Sequence, residues 1–558
     1  MAIPVFGKVI DRKRVGFVGD MPVEAVAALK ARGYEAFELT ASALYADGVL
    51  ETMGSIVISQ SAAEPQSIRK DLRTFADALT HDCRIYIRHA DDPIAYGKTL
   101  VLRFLGTLDL PASGFREDER PFLLGRAGDE VVPVYAPFAH IVAVPGDWSA
   151  LANTIADNPP GQSPNKNLKI EVTDDKGNPD KLEPEQELLV QRAFWNCKLV
   201  KLFEKSDGLS PARAYEGFAY HGENILAGEW PYRVMVKIGP RPDVAREYYK
   251  YRNLFLENVP FYLGPRLRLD RCVLGRSCGV IVSDFVADAQ NIRDVARKGR
   301  GAAAIASLFN VTLVAWRRAG KPNHEFKLNK FLVEKVIGTR TIPGHRAARM
   351  PEFGSKMELS QLVQAIEGVV PGNNEEVLIG MVHGDLHATN VLVRMHDAVI
   401  IDLERIEQGW PLLFDPASLE AGLFIDGFIK DKRSPKEILA SIAHLYTRKA
   451  FDHDDHHCDP TDPSAWFYEC ARQIRMQAGQ MELATHQYAW VLAALFIKKA
   501  CQDRNFAPED VVTFDTPAGN TDAGREAIRQ LAYVIGEMIV TNLTAPPEET
   551  APSKETPP

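Results

Sequence analysis

The sequence predicts an α/β domain with a parallel sheet at its amino end, followed by a larger α+β region. Three observations carry this. Short apolar runs alternate with amphipathic helical stretches through residues 1–150, the pattern of a parallel sheet covered by helices. Further on, the apolar runs LIGMV (378–382), NVLV (390–393) and AVIID (398–402) enclose a polar loop and a turn. Segments with helical periodicity then continue to residue 543. At 558 residues the chain exceeds what one core can hold, so more than one domain is required.

The amino-terminal elements follow in order. RVGFVGD (14–20) is an apolar run ending in an acid. MPVEAVAALKARG (21–33) is a helix with Pro22 near its start and Gly33 as its stop. YEAFELT (34–40) and GSIVISQ (54–60) are strands, PQSIRKDLRTFADALTHD (65–82) is helical, and CRIYIRHA (83–90) returns to strand. The alternation resembles a flavodoxin-like or response-regulator receiver domain. A receiver needs paired acids after its first strand and an Asp after its third, but Asp20 stands alone and the third strand ends in Gln60. No GxGxxG supports a dinucleotide site. A docking or sensor module, offering a surface to a protein partner, is the favoured reading of residues 1–150. Residues 151–185, with NPPGQSPNKN (158–167), read as a linker. The tail 545–558 is rich in Pro, Glu and Thr and lacks the apolar content of a core.

Composition narrows the function classes. Hydrophobic residues at 46% and charged residues at 25% are ordinary for a globular protein. A net charge of −9 argues against nucleic-acid or anionic-membrane partners. Seven scattered cysteines without a CxxC pair suit a reducing compartment. No run approaches the roughly 20 apolar residues of a membrane span, and the amino end lacks a signal-peptide pattern. A cytoplasmic location is the default expectation.

The chemistry concentrates in VHGDLHATNVLVRMHDAVIIDLE (382–404). A carboxylate at the end of a buried run is costly unless a cation or hydrogen-bond donors meet it. A divalent metal favours oxygen ligands from carboxylates together with substrate phosphates. Asn390 offers a neutral oxygen five residues after Asp385, and Asp402 an anionic one from the next strand. That leaves Asp385 to orient a hydroxyl and accept its proton, as phosphoryl transfer to an alcohol demands. Any one of these residues alone would read as a local turn; the combination does not.

HGDLHATN followed by IIDLE resembles the aminoglycoside phosphotransferase and choline kinase branch of the protein-kinase-like superfamily. Leu403 stands where that branch commonly has an aromatic residue, and LFDPASLEAGLF (413–424) supplies its downstream Asp-Pro-Ala. Kinase-like ternary-complex-associated domains of bacterial conflict systems look similar too. The resemblance implies a bilobal fold, with a β-rich small lobe over 186–289 and a helical large lobe over 290–544. Residues 321–375, with a basic stretch at 338–350, would be an insertion. Asp385 would be the base and His387 a brace for the loop. Asn390 and Asp402 would bind Mg²⁺, and Asp415 would hold the loop.

Upstream, PYRVMVKIGP (231–240) is an alternating strand carrying Lys237, and DVAREYYKYRNLFLE (243–257) is a helix carrying Glu247. By resemblance this Lys–Glu pair would face the α- and β-phosphates of ATP, with Glu257 as a competitor for the second role. Gly208 and Ser210 would bring backbone amides to the phosphates. Ser283 to Val286, including Asp284, would form a hinge against the adenine. Arg340, Arg346 and Arg349 could meet an anionic substrate, although a solvated loop is the favoured reading. FDHDDHHCD (451–459) reads as a polar loop because its ligands are too crowded for one metal ion.

The function expected is ATP-dependent phosphoryl transfer to a hydroxyl-bearing acceptor of unspecified class. The alternative is a nucleotide-binding pseudokinase acting as a signalling or scaffold module. A true receiver controlling a kinase is a third reading, with Gln60 against it.

Overall fold

Six amino-terminal strands pair in parallel throughout: β1 (Arg14–Val18), β2 (Glu35–Glu38), β3 (Ser55–Ile58), β4 (Arg84–Ile87), β5 (Leu123–Arg126) and β6 (His140–Ala143). Their order is β2-β1-β3-β4-β6-β5. The first four follow the flavodoxin-like order, and the last two depart from it by inserting β6 between β4 and β5. Val15, Phe17 and Tyr86 of the sheet pack with Ala25 and Leu29 of the helix Val23–Lys30 and with Leu151 and Ile155 of the helix Trp148–Asp157. Asp20 is exposed. The computed structural model describes residues 14–39, 54–58, 84–87, 123–126, 140–143, 147–157, 164–205, 212–221, 231–274, 278–369, 376–429, 431–452, 459–502, 514 and 522–545. Gln60, the helix expected at 65–82, most of FDHDDHHCD and the tail after residue 545 lie outside these.

Two units divide the chain, Met1–Phe255 with Pro265–Phe285, and Leu256–Gly264 with Val286–Pro558. The first also holds a seven-stranded sheet: β7 (Lys169–Thr173), β8 (Pro179–Asp180), β9 (Cys197–Lys205), β10 (Arg213–His221), β11 (Tyr232–Pro240), β12 (Val273–Leu274) and β13 (Cys278–Asp284). It is antiparallel except where β7 runs alongside β9. The linker reading of 151–185 therefore needs correction. Residues 148–157 bury Leu151, Ala152 and Ile155 in the first core, and residues 169–173 complete the second sheet.

Among its described residues the second unit is mainly helical and carries six short strands: β14 (Gln290–Asn291), β15 (Lys321–Asn323), β16 (Val377–Val382), β17 (Val391–Arg394), β18 (Asp397–Ile400) and β19 (Glu407–Pro411). They form two three-stranded sheets, β14-β17-β18 and β15-β16-β19. Residues 256–264 join this unit because Leu263 accepts the Ile400 amide at 3.1 Å and Tyr262 accepts Arg394 at 3.2 Å. The helical chain after β14 is interrupted where Gly299 takes φ 72°.

The insertion reading of 321–375 also changes. β15 pairs with β16, the strand that leads into the polar loop, and Leu328, Phe331, Leu332, Val336 and Ile337 are buried. Arg346 is fully buried and neither solvated nor open to a substrate. Its guanidinium pairs with Glu526 at 2.5 and 2.8 Å and donates to the carbonyls of Ala500 and Gln502. Arg340 donates to the Val336 and Ile337 carbonyls, and Arg349 pairs with Glu352. Glu526→Ala leaves the Arg346 charge buried without a counter-ion and is expected to cost about 3 kcal/mol or more, read as a lower urea midpoint. Lys330→Ala, at the exposed pair with Glu334, is expected to cost under about 0.5 kcal/mol.

Candidate functional site

In the first unit Lys237 occupies β11, in register with Ala214 of β10 and Ile281 of β13. Val234, Val236 and Ile238 alternate with it and are buried, so Lys237 lies on the other face of the sheet. The helix Arg241–Lys250 begins as the strand ends, with a proline in its first turn. Val244, Glu247, Tyr248 and Tyr251 share one face of this helix and its continuation, and all are buried. Lys237 Nζ and Glu247 Oε2 lie 2.7 Å apart, with side chains 17% and 8% exposed. Glu257, the competing partner, is exposed. Asp284 is engaged elsewhere: its carboxylate pairs with Arg268 at 2.5 Å and its amide donates to the Arg266 carbonyl at 2.9 Å. Its amide is therefore not available to an adenine. Gly208 and Ser210 lie outside the described residues.

In the second unit β16 delivers the chain to a loop running from His383 to Asn390. Asp415, at the start of the helix Phe414–Phe428, is buried beneath it. Its carboxylate accepts the amides of His383 at 2.7 Å and Gly384 at 3.1 Å. Burial pushes this carboxyl up to about 6, against the pull of His383 and the two amides. Gly384 takes φ 74°, and a Cβ there would overlap the Arg405 carbonyl oxygen, so only glycine fits. His383 Nε2 lies 2.9 Å from the Ile401 carbonyl and so donates to it. That bond ties the loop to the segment carrying Asp402.

Asp385 projects from this clamped backbone with its side chain 38% exposed. Burial pushes its carboxyl up, but Lys499, with His387, Lys498 and His383, outweighs this and holds it below the usual range. Burial keeps His387 neutral, with Lys499 acting in the same direction. The Thr389 amide donates to His387 Nδ1, which places the ring proton on Nε2, 3.8 Å from Asp385 Oδ2. Gly422 of the underlying helix approaches His387 closely: a Cβ there would come within 2.7 Å of His387 Cβ.

Asn390 Nδ2 donates to the Asp385 carbonyl at 2.9 Å, which leaves Oδ1 as an acceptor. The Ile401 amide donates to the Asn390 carbonyl at 3.0 Å and so lays Asn390 beside the residue preceding Asp402. Asp402 takes φ 61°, a conformation that Asp tolerates better than most residues. An amide oxygen and a carboxylate on adjoining backbone are the hard donors that fit Mg²⁺. Val286, predicted at the hinge, is half-buried. Sequence reasoning missed Lys498 and Lys499. The two lysines close the otherwise apolar helix Gln487–Ala500, and an adjacent Lys pair in such a run is the signal that could have found them.

Residues 334–492 match the family model described as ternary complex associated domain 9. No curated protein matches the chain. Among solved structures the chain is similar to aminoglycoside phosphotransferases and choline kinases. One is a thermostable mutant of aminoglycoside phosphotransferase APH(4)-Ia in a ternary complex with ADP and hygromycin B, 15% identical over 54% of this chain and 93% of that one, with a TM-score of 0.27. Another is an aminoglycoside phosphotransferase from Streptomyces rimosus, 15% identical over 53% and 99%, with a TM-score of 0.27. A choline kinase from Cryptosporidium parvum is 11% identical over 64% and 98%, with a TM-score of 0.31. Among the described residues no helix is long and apolar enough to cross a membrane.

Folding raises the Asp415 carboxyl from 3.8 to about 6, so the native chain binds more protons than the unfolded one between those values. This group's contribution to stability therefore falls as pH rises from about 4 to 6. The difference in melting temperature between wild type and Asp415→Asn is expected to shrink across that window. A difference independent of pH would show that the carboxyl titrates normally.

Proposed function

We propose that the protein is an ATP-dependent phosphotransferase acting on a hydroxyl acceptor. The observation that carries this is Asp385, an accessible carboxylate held ionised on a loop fixed from beneath by Asp415 and from within by Asn390. The acceptor hydroxyl gives its proton to Asp385 while its oxygen bonds to the γ-phosphorus. The bond from that phosphorus to the ADP oxygen breaks as the new one forms. Lys237, steadied by Glu247, takes the α- and β-phosphates. Asn390 and Asp402 would hold Mg²⁺, which would neutralise phosphate charge. His387 stays neutral and braces the loop without competing for the proton. Backbone groups near Val286 meet the base. The rate then comes from positioning and electrostatics.

The family match over 334–492 favours a second reading. In it the same residues bind nucleotide without transferring phosphate, as one component of an assembly joined through the amino-terminal domain. ATP with Mg²⁺ is expected to raise the melting temperature in both readings, and Lys237→Ala to weaken that rise. Asp385→Ala is expected to keep the rise while lowering transfer of labelled γ-phosphate by roughly 10²–10⁴-fold. Full nucleotide stabilisation with no transfer to any metabolite, or to the protein itself, would select the second reading. No stabilisation by any nucleotide would remove both.

A further inference from the structure

We infer that the acceptor carries an oxyanion, a phosphate or a carboxylate, beside its reacting hydroxyl, and that Lys498 and Lys499 receive it. The inference rests on the phosphotransferase reading and names the substrate class for it.

Lys499 is 9% exposed, and Lys498 is half-buried with its ammonium 5.6 Å from the centre of the Phe414 ring. Among the described residues no carboxylate lies within 4.0 Å of either ammonium, and neither ammonium donates a hydrogen bond. Neither ammonium is sealed from solvent, so an anion can reach both. Neither is taken up by the end of its own helix. The carbonyls of Ala500 and Gln502 already accept from Arg346, and Gln502 accepts from Arg529 as well.

The surroundings direct the pair toward the acceptor. Phe414, beneath Lys498, adjoins Asp415, which grips the backbone next to Asp385. Lys499 is the strongest of the charges that favour the Asp385 carboxylate, and Arg340 and Arg405 add to the positive field at Lys498. Arg405 also packs its carbonyl against Gly384. Cations therefore gather around the proposed base, yet none pairs with it at contact distance. Asp385 remains available to a hydroxyl, and the lysines remain available to an anion. A cationic acceptor such as choline or an aminoglycoside would be repelled here.

The test uses the full chain saturated with a non-hydrolysable ATP analogue and Mg²⁺, which fills the phosphate subsites. Inorganic phosphate and, in parallel, malonate are then titrated while melting temperature is recorded. At least one is expected to raise it saturably, and the arm that does so tells phosphate from carboxylate. In Lys498→Met/Lys499→Met that anion is expected to bind at least tenfold more weakly. The stabilisation by the ATP analogue should persist, and the ligand-free melting temperature should be no lower than in wild type. Lys499→Arg should retain anion binding. Transfer assays then compare glycerol 3-phosphate and glycerate with glycerol and choline, and the anionic members are expected to be the better acceptors. Anion stabilisation absent in wild type, or undiminished in the double variant, overturns the inference, as does preference for glycerol or choline. Loss of the response to the ATP analogue in wild type would instead remove the phosphotransferase reading itself.

Discussion

Asp415 accepts two backbone amides where the polar loop begins. A carboxylate sealed beneath a loop is costly to ionise, as its raised pKa reflects, and two amide donors offset part of that cost. In return the bonds fix His383 and Gly384, and with them the direction in which Asp385 leaves the backbone. Gly384 can accept this position because its left-handed conformation and its contact with the Arg405 carbonyl exclude a side chain. Gly422 on the same helix makes room for His387. One helix thus supplies both the clamp and the floor of the loop.

The charges around the loop follow a similar economy. His387 is kept neutral by burial, so the carboxylate beside it faces no competing imidazolium. Lys499 and Lys498 keep Asp385 ionised without touching it. In the other unit the Lys237–Glu247 pair is sheltered between a strand and the helix that follows it directly. A pair so placed is costly to desolvate and costlier to break by removing one member. Its geometry is therefore strongly held.

Much of this was legible in the residues. Period-two alternation located β11 and with it Lys237, and helical spacing placed Glu247 on the helix that follows, ten residues later. The HGDLHATN and IIDLE stretches marked the loop and the acid that follows it. Local rules suffice there because each element lies next to its neighbour in the chain. Other readings failed where burial was decided far away in sequence. Arg346 sits in a basic stretch that looks solvated, but its counter-ion Glu526 is supplied by the last helix. Asp284 lies at a strand end expected to meet a base, yet arginines 16 and 18 residues upstream, beside it in space, occupy its carboxylate and its amide.

By itself the sequence determined β1 to β4, β11 and β16 to β18 and the helices that follow β1 and β11, because periodicity and turn chemistry act over a few residues. The tertiary structure alone decided that residues 169–173 complete a sheet and that 321–337 line a core. It also decided that Lys498 and Lys499 act on Asp385 from more than a hundred residues away. Pairing, burial and the field between charges depend on distance in space, and no local pattern records that distance.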